Sequence, residues 1–295
     1  MPQTIQQALN RATAQIKINS SQARLEAEGL LGYVINQNRA FLHAHPQKQI
    51  TNNQLSNYKK IIKQRTKGQP IAYLTGQQEF YGLVFLTKPG VLIPRPESEQ
   101  LIDLALELIP INSRWTIADI GTGSGCLAIT LATLRPNCTF LAIDKSTKAL
   151  TIAKLNLRKH RLFRKIKVIP GNLLAPLLNE TLSMIIANLP YGTPIEIANE
   201  PTIKYEPRMA ISGGPDGLNP YRVFLKQLKQ RTDYPIVILE IDPRRKAKLG
   251  QLIKTLQPGY RVTWKKDLNG RWRFAILQPI LFKKTTDRET PALQE

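Results

Sequence analysis

The sequence predicts an α/β protein built around a doubly wound parallel sheet. Short apolar runs that end in polar residues recur after residue 115, and amphipathic segments separate them. A glycine-rich segment directly follows the first of these runs. Two β-rich runs near the end flank Asn269-Gly270, a dipeptide typical of hairpin turns. Alternation of strands and helices is typical of a parallel sheet, so we expect one that finishes in a hairpin.

Length and composition exclude several classes of protein. The chain has 295 residues, and 42% of them are hydrophobic, so it can bury a sizeable core. Its apolar runs are too short for a transmembrane helix, and its first residues lack the pattern of a signal peptide. Cys126 and Cys138 fit neither a disulfide framework nor a metal-binding spacing. We therefore expect a soluble protein of a reducing compartment, the cytoplasm, with no membrane partner and no metal.

The charge is strongly basic. The formal net charge is +21, from 42 Lys and Arg against 21 Asp and Glu. Residues 154–167 contain no acidic residue and carry seven basic ones: Lys154, Arg158, Lys159, Arg161, Arg164, Lys165 and Lys167. Such a surface attracts nucleic acid or an acidic partner. The alternative is a solvated basic face without a ligand.

The N-terminal region is predicted to be helical. Residues 1–70 carry apolar residues at helical spacing, and Thr51–Gln54 reads as a capping box that opens a helix. Residues 71–95 contain alternating apolar residues and glycines, which predicts strands or a linking hairpin. The sheet domain is assigned to residues 96–280, and residues 281–295 are predicted to be a disordered tail.

The order of elements after residue 96 can be predicted segment by segment. Strands are predicted at WTIADI, CTFLAID, KIKVIPG, LSMIIA and YPIVILEI. Helices are predicted at ESEQLIDLALELI, SGCLAITLATLR, STKALTIAKLNLRKH and residues 243–256. A parallel sheet that ends in a β-hairpin is the layout of class I methyltransferases.

The segment IADIGTGSGC predicts a cofactor site. Three glycines after the first strand, Gly121, Gly123 and Gly125, allow a tight turn and close approach of a ligand to the backbone. Asp144 ends the second strand, where a carboxylate can accept hydrogen bonds from both ribose hydroxyls of a nucleoside cofactor. That geometry suits NAD as well as S-adenosylmethionine. The G-x-G-x-G spacing and the Asn-Leu-Pro-Tyr segment favour S-adenosylmethionine.

Two further segments lie at predicted strand ends. Asn172 or Leu173, after the third strand, would contact the adenine, although an ordinary loop is nearly as good an interpretation. Asn188-Leu189-Pro190-Tyr191 follows the fourth strand, at the mouth of the predicted site. The Asn188 side-chain oxygen and the Leu189 carbonyl could grip the two N–H groups of a planar nitrogen. Pro190 fixes the local backbone, and Tyr191 can cover the substrate's planar face. The alternative is a turn that merely ends a strand.

The chain resembles the bacterial peptide chain release factor glutamine methyltransferases over residues 1 to about 280. The resemblance rests on GQPIAYLTGQQEFYG, LIPRPESE, DIGTGSGCLAI, AID, NLPY, YEPRMAISGGPDGLNPYR and KDLNGRWR. It implies a small helical substrate-recognition domain, a linking hairpin and a methyltransferase sheet. It also implies methyl transfer from S-adenosylmethionine to the glutamine amide nitrogen in the Gly-Gly-Gln loop of class 1 release factors.

The resemblance assigns roles to individual positions. Cofactor contacts are implied for Gly121, Thr122, Gly123, Ser124, Gly125, Asp144 and Asn188. The glutamine pocket is implied for Asn188, Leu189, Pro190 and Tyr191, and its approach for Arg95, Glu97 and Glu206, although Arg95 could equally form a structural ion pair. The chain departs from the family at three positions: Leu189 replaces a proline, Asn172 an acidic residue and Asp242 a glycine.

Two other functions remain open at this stage. Asn-Leu-Pro-Tyr also occurs in ribosomal RNA adenine dimethyltransferases, and the basic charge suits RNA, but those enzymes carry their extra helical domain after the sheet. The second alternative is a non-catalytic relative that binds the ribosome or a release factor. The glycines, Asp144 and Asn188 are intact, which argues against a loss of turnover.

Overall fold

The computed structural model describes residues 3–18 and 20–280. The tail predicted for residues 281–295 lies outside these ranges. In the described part of the chain, no helix has the length and apolarity needed to cross a membrane.

The N-terminal part forms a small helical bundle. Its elements are β1 (Gln3–Thr4), α1 (Ile5–Ile16), α2 (Ala23–Ile35), α3 (Arg39–Ala44), β2 (Gln49–Ile50) and α4 (Asn52–Arg65). The predicted capping box is confirmed, because the Thr51 hydroxyl accepts a hydrogen bond from the Gln54 N–H and the Gln54 side chain accepts one from the Thr51 N–H. Apolar residues at helical spacing give the bundle a core of its own.

The segment after the bundle differs in part from the prediction. It contains α5 (Ile71–Thr75), β3 (Gln77–Phe80) and β4 (Leu83–Leu86). Residues 71–75 are helical, so the expectation of strands there is wrong, and the hairpin is confined to β3 and β4. Pro70 lies at the start of α5, and Gly76, with φ of 73°, ends it. A single helical turn is too short to show a period in the sequence.

A seven-stranded sheet forms the C-terminal part and confirms the predicted fold class. Its strands are β5 (Thr116–Ile120), β6 (Thr139–Asp144), β7 (Ile166–Pro170), β8 (Met184–Asn188), β9 (Ile236–Glu240), β10 (Tyr260–Lys266) and β11 (Trp272–Pro279). Their spatial order is β10-β11-β9-β8-β5-β6-β7. Strands β5 to β9 are parallel to one another, whereas β11 is antiparallel to both β9 and β10.

Helices cover both faces of this sheet. One face carries α6 (Glu99–Leu108), α7 (Cys126–Leu134) and α8 (Thr147–Lys159), and the other carries α11 (Asn219–Leu228) and α12 (Lys246–Leu256). Alternate residues of β5 enter the two cores: Ile117 packs on the first side, and Ala118 and Ile120 pack on the second. Two short helices, α9 (Pro194–Asn199) and α10 (Arg208–Ile211), precede α11.

The strand order places the polar strand ends together. Strands β5 and β8 are neighbours although β6 and β7 separate them in sequence, so the order of strands reverses at this point. Ligands of open α/β sheets bind at the carboxyl ends of the strands at such a switch point. The carboxyl ends of β5, β6, β8 and β9 carry Asp119, Asp144, Asn188 and Glu240.

Candidate active site

The predicted glycine turn connects β5 to α7. Gly121, Gly123 and Gly125 have φ values of 76°, 57° and 83°, in the left-handed region that favours glycine. A Cβ at Gly125 would lie 3.2 Å from the Ile129 side chain and 3.5 Å from that of Ala153. The third glycine therefore allows α7 to pack closely against α8, while the first two shape the turn.

Asp119, the last polar residue of β5, accepts hydrogen bonds from the turn and from the start of α7. Its Oδ2 accepts hydrogen bonds from the Thr122 hydroxyl (2.6 Å) and the Ala128 N–H (3.2 Å). Its Oδ1 is buried and has no hydrogen-bond partner. Burial raises the pKa of this carboxyl to about 7. Sequence reasoning did not assign Asp119 a role in the site, although an acid two residues before a glycine turn was a usable signal.

Asp144 is the last residue of β6, and its side chain contacts the turn. Its Oδ2 accepts a hydrogen bond from the Gly123 N–H (3.0 Å), and its Oδ1 accepts one from the Ser146 N–H (2.8 Å). Burial raises the pKa of this carboxyl. The side chain therefore ties the glycine turn to the start of α8, in addition to any contact it makes with a ligand.

A cavity of about 510 Å³ opens over the turn. The predicted site residues that line it are Arg95, Gly121, Thr122, Gly123, Ser124, Asp144, Asn172, Leu173, Asn188, Leu189 and Pro190. Gly125, Tyr191 and Glu206 are absent from this lining. The volume is within the usual range for a small-molecule or cofactor site.

The residues fit a nucleoside cofactor of the expected kind. The left-handed turn leaves the backbone open to the cavity, and Asp144 lies opposite it at the end of β6. Asn172 and Leu173 line the same cavity after β7, and Leu173 has a left-handed φ of 56°. The Oδ1 of Asp119 is buried without a partner beneath the turn, but Asp119 does not line the cavity. The roles of the individual residues remain predictions.

A second cavity of about 490 Å³ adjoins the first. The residues that line both cavities are Leu92, Arg95, Asn188, Leu189, Pro190 and Ala210. Tyr191 lines only the second cavity, and burial raises the pKa of its hydroxyl to about 12. Asn188, Leu189 and Pro190 thus form a wall that the two cavities share, so a group bound in either cavity could contact them.

Hydrogen bonds hold Asn188 and Leu189 in this wall. The Asn188 Nδ2 donates to the Ser98 hydroxyl (2.9 Å), which donates to Glu240 Oε2 (2.6 Å). The Tyr221 hydroxyl lies 2.7 Å from the Glu240 carbonyl oxygen and 3.3 Å from the Leu189 carbonyl oxygen. The Leu189 side chain is buried in the core. Sequence reasoning missed Ser98, Tyr221 and Glu240, which come from distant segments.

Arg95 and Glu206 form an ion pair beside the wall. Glu206 is buried, and its second oxygen accepts a hydrogen bond from the Ile93 N–H (3.1 Å). Arg95 lines both cavities, whereas Glu206 lines neither. Glu97 is exposed and also lines neither cavity. Of the three candidates, the cavity geometry brings only Arg95 to the site.

The segment Gly213–Gly217 packs directly against the backbone of Tyr191. A Cβ at Gly213 would lie 2.7 Å from the Tyr191 Cα, and one at Gly217 would lie 2.4 Å from the Tyr191 carbonyl oxygen. The Gly213 N–H also donates to the Gly192 carbonyl (2.8 Å). Only glycine permits this approach, so the segment sets the backbone path of the second cavity.

Asp242 stands where the resembling family has glycine, and it joins an ion-pair cluster. It pairs with Arg244 and with Arg245, whose Nη1 lies 3.3 Å from Asp242 Oδ1. Both arginines also pair with Glu196 of α9. The cluster ties the end of β9 to the helix that follows Tyr191, and the arginines lower the pKa of the Asp242 carboxyl despite its burial.

Known protein families match both parts of the chain. Residues 7–76 match the family described as PrmC N-terminal domain, and residues 83–202 match the Methyltransferase small domain. The release factor glutamine methyltransferase of Coxiella burnetii is 34% identical over 92% of this chain and 98% of its own length. That of Moorella thermoacetica is 38% identical over 75% of this chain and 79% of its own length. The chain belongs to the release factor glutamine methyltransferase family.

The structural comparison agrees with the fold. The hMettl16 catalytic domain, crystallised in complex with MAT2A 3'UTR hairpin 6, has a TM-score of 0.54 at 20% identity and covers 79% of this chain and 85% of its own. At this identity the likeness supports the class I methyltransferase fold alone. As a member of the release factor glutamine methyltransferase family, the protein is an enzyme that uses a methyl donor.

Proposed function

We propose that the protein transfers a methyl group from S-adenosylmethionine to the side-chain amide nitrogen of the glutamine in the Gly-Gly-Gln motif of class 1 release factors. The observation that carries this proposal is the wall of Asn188, Leu189 and Pro190 between the two cavities. A donor bound in the first cavity and a glutamine entering from the second would meet at this wall. The family membership of the chain supports the same assignment.

The first cavity would hold S-adenosylmethionine, which supplies an electrophilic methyl group. The backbone of Gly121–Gly125 would receive the methionine part of the cofactor, and Asp144 would accept hydrogen bonds from the ribose hydroxyls. Asn172 and Leu173 would flank the adenine. The chain departs from the family at Asn172, which offers a neutral amide where an acid is usual.

The second cavity would receive the glutamine. Its amide nitrogen is planar, and its lone pair is delocalised into the carbonyl. The Asn188 Oδ1 and the Leu189 carbonyl would accept from its two N–H groups and direct the nitrogen towards the methyl donor. Tyr191 would cover the planar face of the amide. Catalysis would then come from positioning and electrostatics rather than from a nucleophilic side chain.

The remaining regions have supporting roles in this proposal. Residues 1–70 would recognise the folded release factor, and residues 71–95 would link them to the transferase domain at 96–280. The two cysteines are free thiols, which suits an enzyme that acts in the reducing cytoplasm.

The surface of α8 is a candidate RNA contact. The seven basic residues at 154–167, here called the α8 basic surface, lie in the second half of α8, in the loop after it and in β7, and all are exposed. Phe163 among them is 59% exposed, and the Arg164 guanidinium lies 5.6 Å from the centre of its ring. An exposed aromatic ring among basic side chains is typical of surfaces that bind unpaired nucleotides. We therefore propose that this surface contacts RNA, as an enzyme near the ribosome would.

Mass spectrometry of a release factor after incubation with the protein and S-adenosylmethionine tests the proposed function. We expect one added methyl group on the Gly-Gly-Gln glutamine, and none on a release factor with alanine at that position. A methyl group added to the alanine variant of the release factor, or to ribosomal RNA adenine, would contradict the glutamine assignment. Calorimetric binding of the cofactor without any methyl transfer would indicate a non-catalytic relative.

A further inference from the structure

Ser98 makes contacts that its position in the chain does not predict. It directly precedes α6, where a serine usually caps the helix through its side chain. The Ser98 hydroxyl makes no such cap. It lies instead between Glu240 Oε2, at 2.6 Å, and Asn188 Nδ2, at 2.9 Å. Three distant segments therefore meet in one chain of hydrogen bonds, buried at Glu240 and partly buried at Asn188, here called the Asn188–Ser98–Glu240 chain.

The chemistry of these groups sets the direction of the hydrogen bonds. An ionised carboxylate only accepts, and a hydroxyl has a single proton to donate. The Ser98 proton is therefore committed to Glu240, which leaves the Ser98 oxygen as an acceptor towards Asn188. Only the NH₂ half of the Asn188 amide can face such an acceptor. The Asn188 Oδ1 must then point away from Ser98, and Asn188 lines both cavities.

We propose that Ser98 and Glu240 are positioning residues that turn the Asn188 oxygen towards the substrate nitrogen. The inference rests on the proposed function, because it assigns the Asn188 oxygen to the glutamine amide. A flipped amide would present NH₂ to the NH₂ of the glutamine, and the two donors would repel. The Asn188–Ser98–Glu240 chain excludes that flipped orientation as long as Glu240 is ionised.

The surroundings of Glu240 make this device sensitive to pH. Burial raises the pKa of the Glu240 carboxyl to about 7, and Glu97 adds to the rise, while the hydrogen bond from Ser98 and the charges of Arg273 and Arg95 oppose it. The charges of Glu240 and Asp242 both raise the pKa of the nearby Tyr191 hydroxyl. The Tyr221 hydroxyl donates to the backbone carbonyl of Glu240 and not to its carboxylate. Protonation removes the acceptor that commits the Ser98 proton. The orientation of Asn188 is thus fixed above about pH 7 and is released as the pH falls.

Kinetics of three variants test the role in catalysis. Ser98→Ala removes the acceptor for Asn188, and we expect kcat at pH 8 to fall by about tenfold or more, with a smaller change in the Kd for S-adenosylmethionine, whose proposed cavity Ser98 also lines. Ser98→Thr keeps the hydroxyl and should restore most of the rate. Glu240→Gln should lose the rise of kcat with pH that the wild type shows through neutrality. Asp119, whose pKa is also about 7, is present in the wild type and in Glu240→Gln. The difference between their pH profiles of kcat therefore reports on Glu240.

A spectroscopic readout separates the positioning role from the proposed substrate. In protein labelled with ¹⁵N-asparagine, the Asn188 side-chain signals are identified by their loss in Asn188→Ala. We expect these signals to titrate near pH 7 in the wild type and not in Glu240→Gln, with no substrate present. Absence of that titration, or a folded Ser98→Ala variant with wild-type kcat from pH 6 to 9, would overturn the inference. Titration in a wild type that methylates no release factor would overturn only the proposed function.

Discussion

At the scale of single residues, the site depends on which atoms remain free to bind. Leu189 replaces the proline usual in the family, yet in the proposed function the group that would face the substrate from this position is its backbone carbonyl. The Tyr221 hydroxyl, with one proton, is closer to the Glu240 carbonyl (2.7 Å) than to that of Leu189 (3.3 Å). A carbonyl oxygen has two lone pairs, so the Leu189 carbonyl can still accept from a substrate.

A pair of variants separates the Asn188 side chain from the Leu189 backbone. Asn188→Ala leaves a substrate N–H unpaired, and we expect the barrier to methyl transfer to rise by about 2–4 kcal/mol. Leu189→Pro keeps the carbonyl, so activity should remain within about tenfold. Its cost should appear in stability, roughly 1–3 kcal/mol, because the buried leucine side chain is lost from the core. Methylation assays and thermal unfolding measure the two effects, and equal losses of activity would contradict the carbonyl role.

Asp144 has two tasks, and a second pair of variants separates them. Asp144→Ala removes the acceptor for the ribose, which should weaken cofactor binding by about 1.5–3 kcal/mol per charged hydrogen bond. It should also lower the melting temperature, because the Gly123 and Ser146 N–H groups lose their partner. Asp144→Asn keeps the shape and one acceptor oxygen, so it should destabilise the fold less. Calorimetry with S-adenosylmethionine gives the first effect, and unchanged affinity in both variants would remove Asp144 from the site.

At the scale of elements, turns and short segments place the two cavities. The loop at 213–217 lies far from Tyr191 in sequence, but its glycines allow it to touch the Tyr191 backbone. The cluster of Glu196, Asp242, Arg244 and Arg245 ties α9 to the end of β9. Helix α11 completes the connection between the parallel strands β8 and β9, which requires a crossover. Its buried residues, Tyr221, Phe224, Leu225 and Leu228, follow the helical period, so the sequence contained a signal for it.

Two glycines with the same backbone conformation test the support of Tyr191. Gly217 has φ of 78° and Gly270 has φ of 76°, so alanine at either position costs about 1–2 kcal/mol of backbone strain. At Gly270 the added Cβ meets nothing within 4 Å, so we expect unchanged activity. At Gly217 it would lie 2.4 Å from the Tyr191 oxygen and 2.6 Å from Arg245 Nε. We expect Gly217→Ala to unfold at a lower temperature and to bind the release factor more weakly; equal behaviour of the two variants would refute the supporting role.

At the scale of the whole molecule, part of the net charge of +21 lies in one segment, the basic residues at 154–167. The α8 basic surface lies beside the edge strand β7, and within the described residues its one ion pair is Lys167 with Glu180, at 3.9 Å. Most of its charge is therefore available to a polyanion. Counterion release makes binding of this kind strongly dependent on salt.

A charge reversal on this surface tests the RNA contact. Arg158, Arg161 and Arg164 changed together to glutamate should weaken binding of single-stranded RNA and lower the slope of log K against log salt by about 0.7 for each lost phosphate contact. The matched control changes Lys226 on α11, Lys229 directly after α11 and Lys248 on α12, all of which are exposed, and should have little effect. Equal losses in both triple variants would assign the effect to net charge, and Phe163→Ala should weaken binding without changing the slope.

The sequence by itself determined the fold class, the five parallel strands, the final hairpin and the glycine turn, but not the helices α9, α10 and α11 between β8 and β9. These features depend on local patterns: apolar periodicity, left-handed glycines, and the Asn-Gly turn of the last hairpin. Short pieces were less predictable, as the helical turn at 71–75 shows, because one turn has no period to detect.

Only the tertiary structure decided which side chains act together. Ser98 lies 90 residues from Asn188 and 142 residues from Glu240 in the sequence. No local pattern predicts the hydrogen bonds between them. The same holds for the ion pair of Arg95 with Glu206, where the sequence allowed both a substrate contact and a structural role. Hydrogen-bond direction and burial depend on what surrounds a group in space. The chain supplies the donors and acceptors, and the order of the strands brings them into contact.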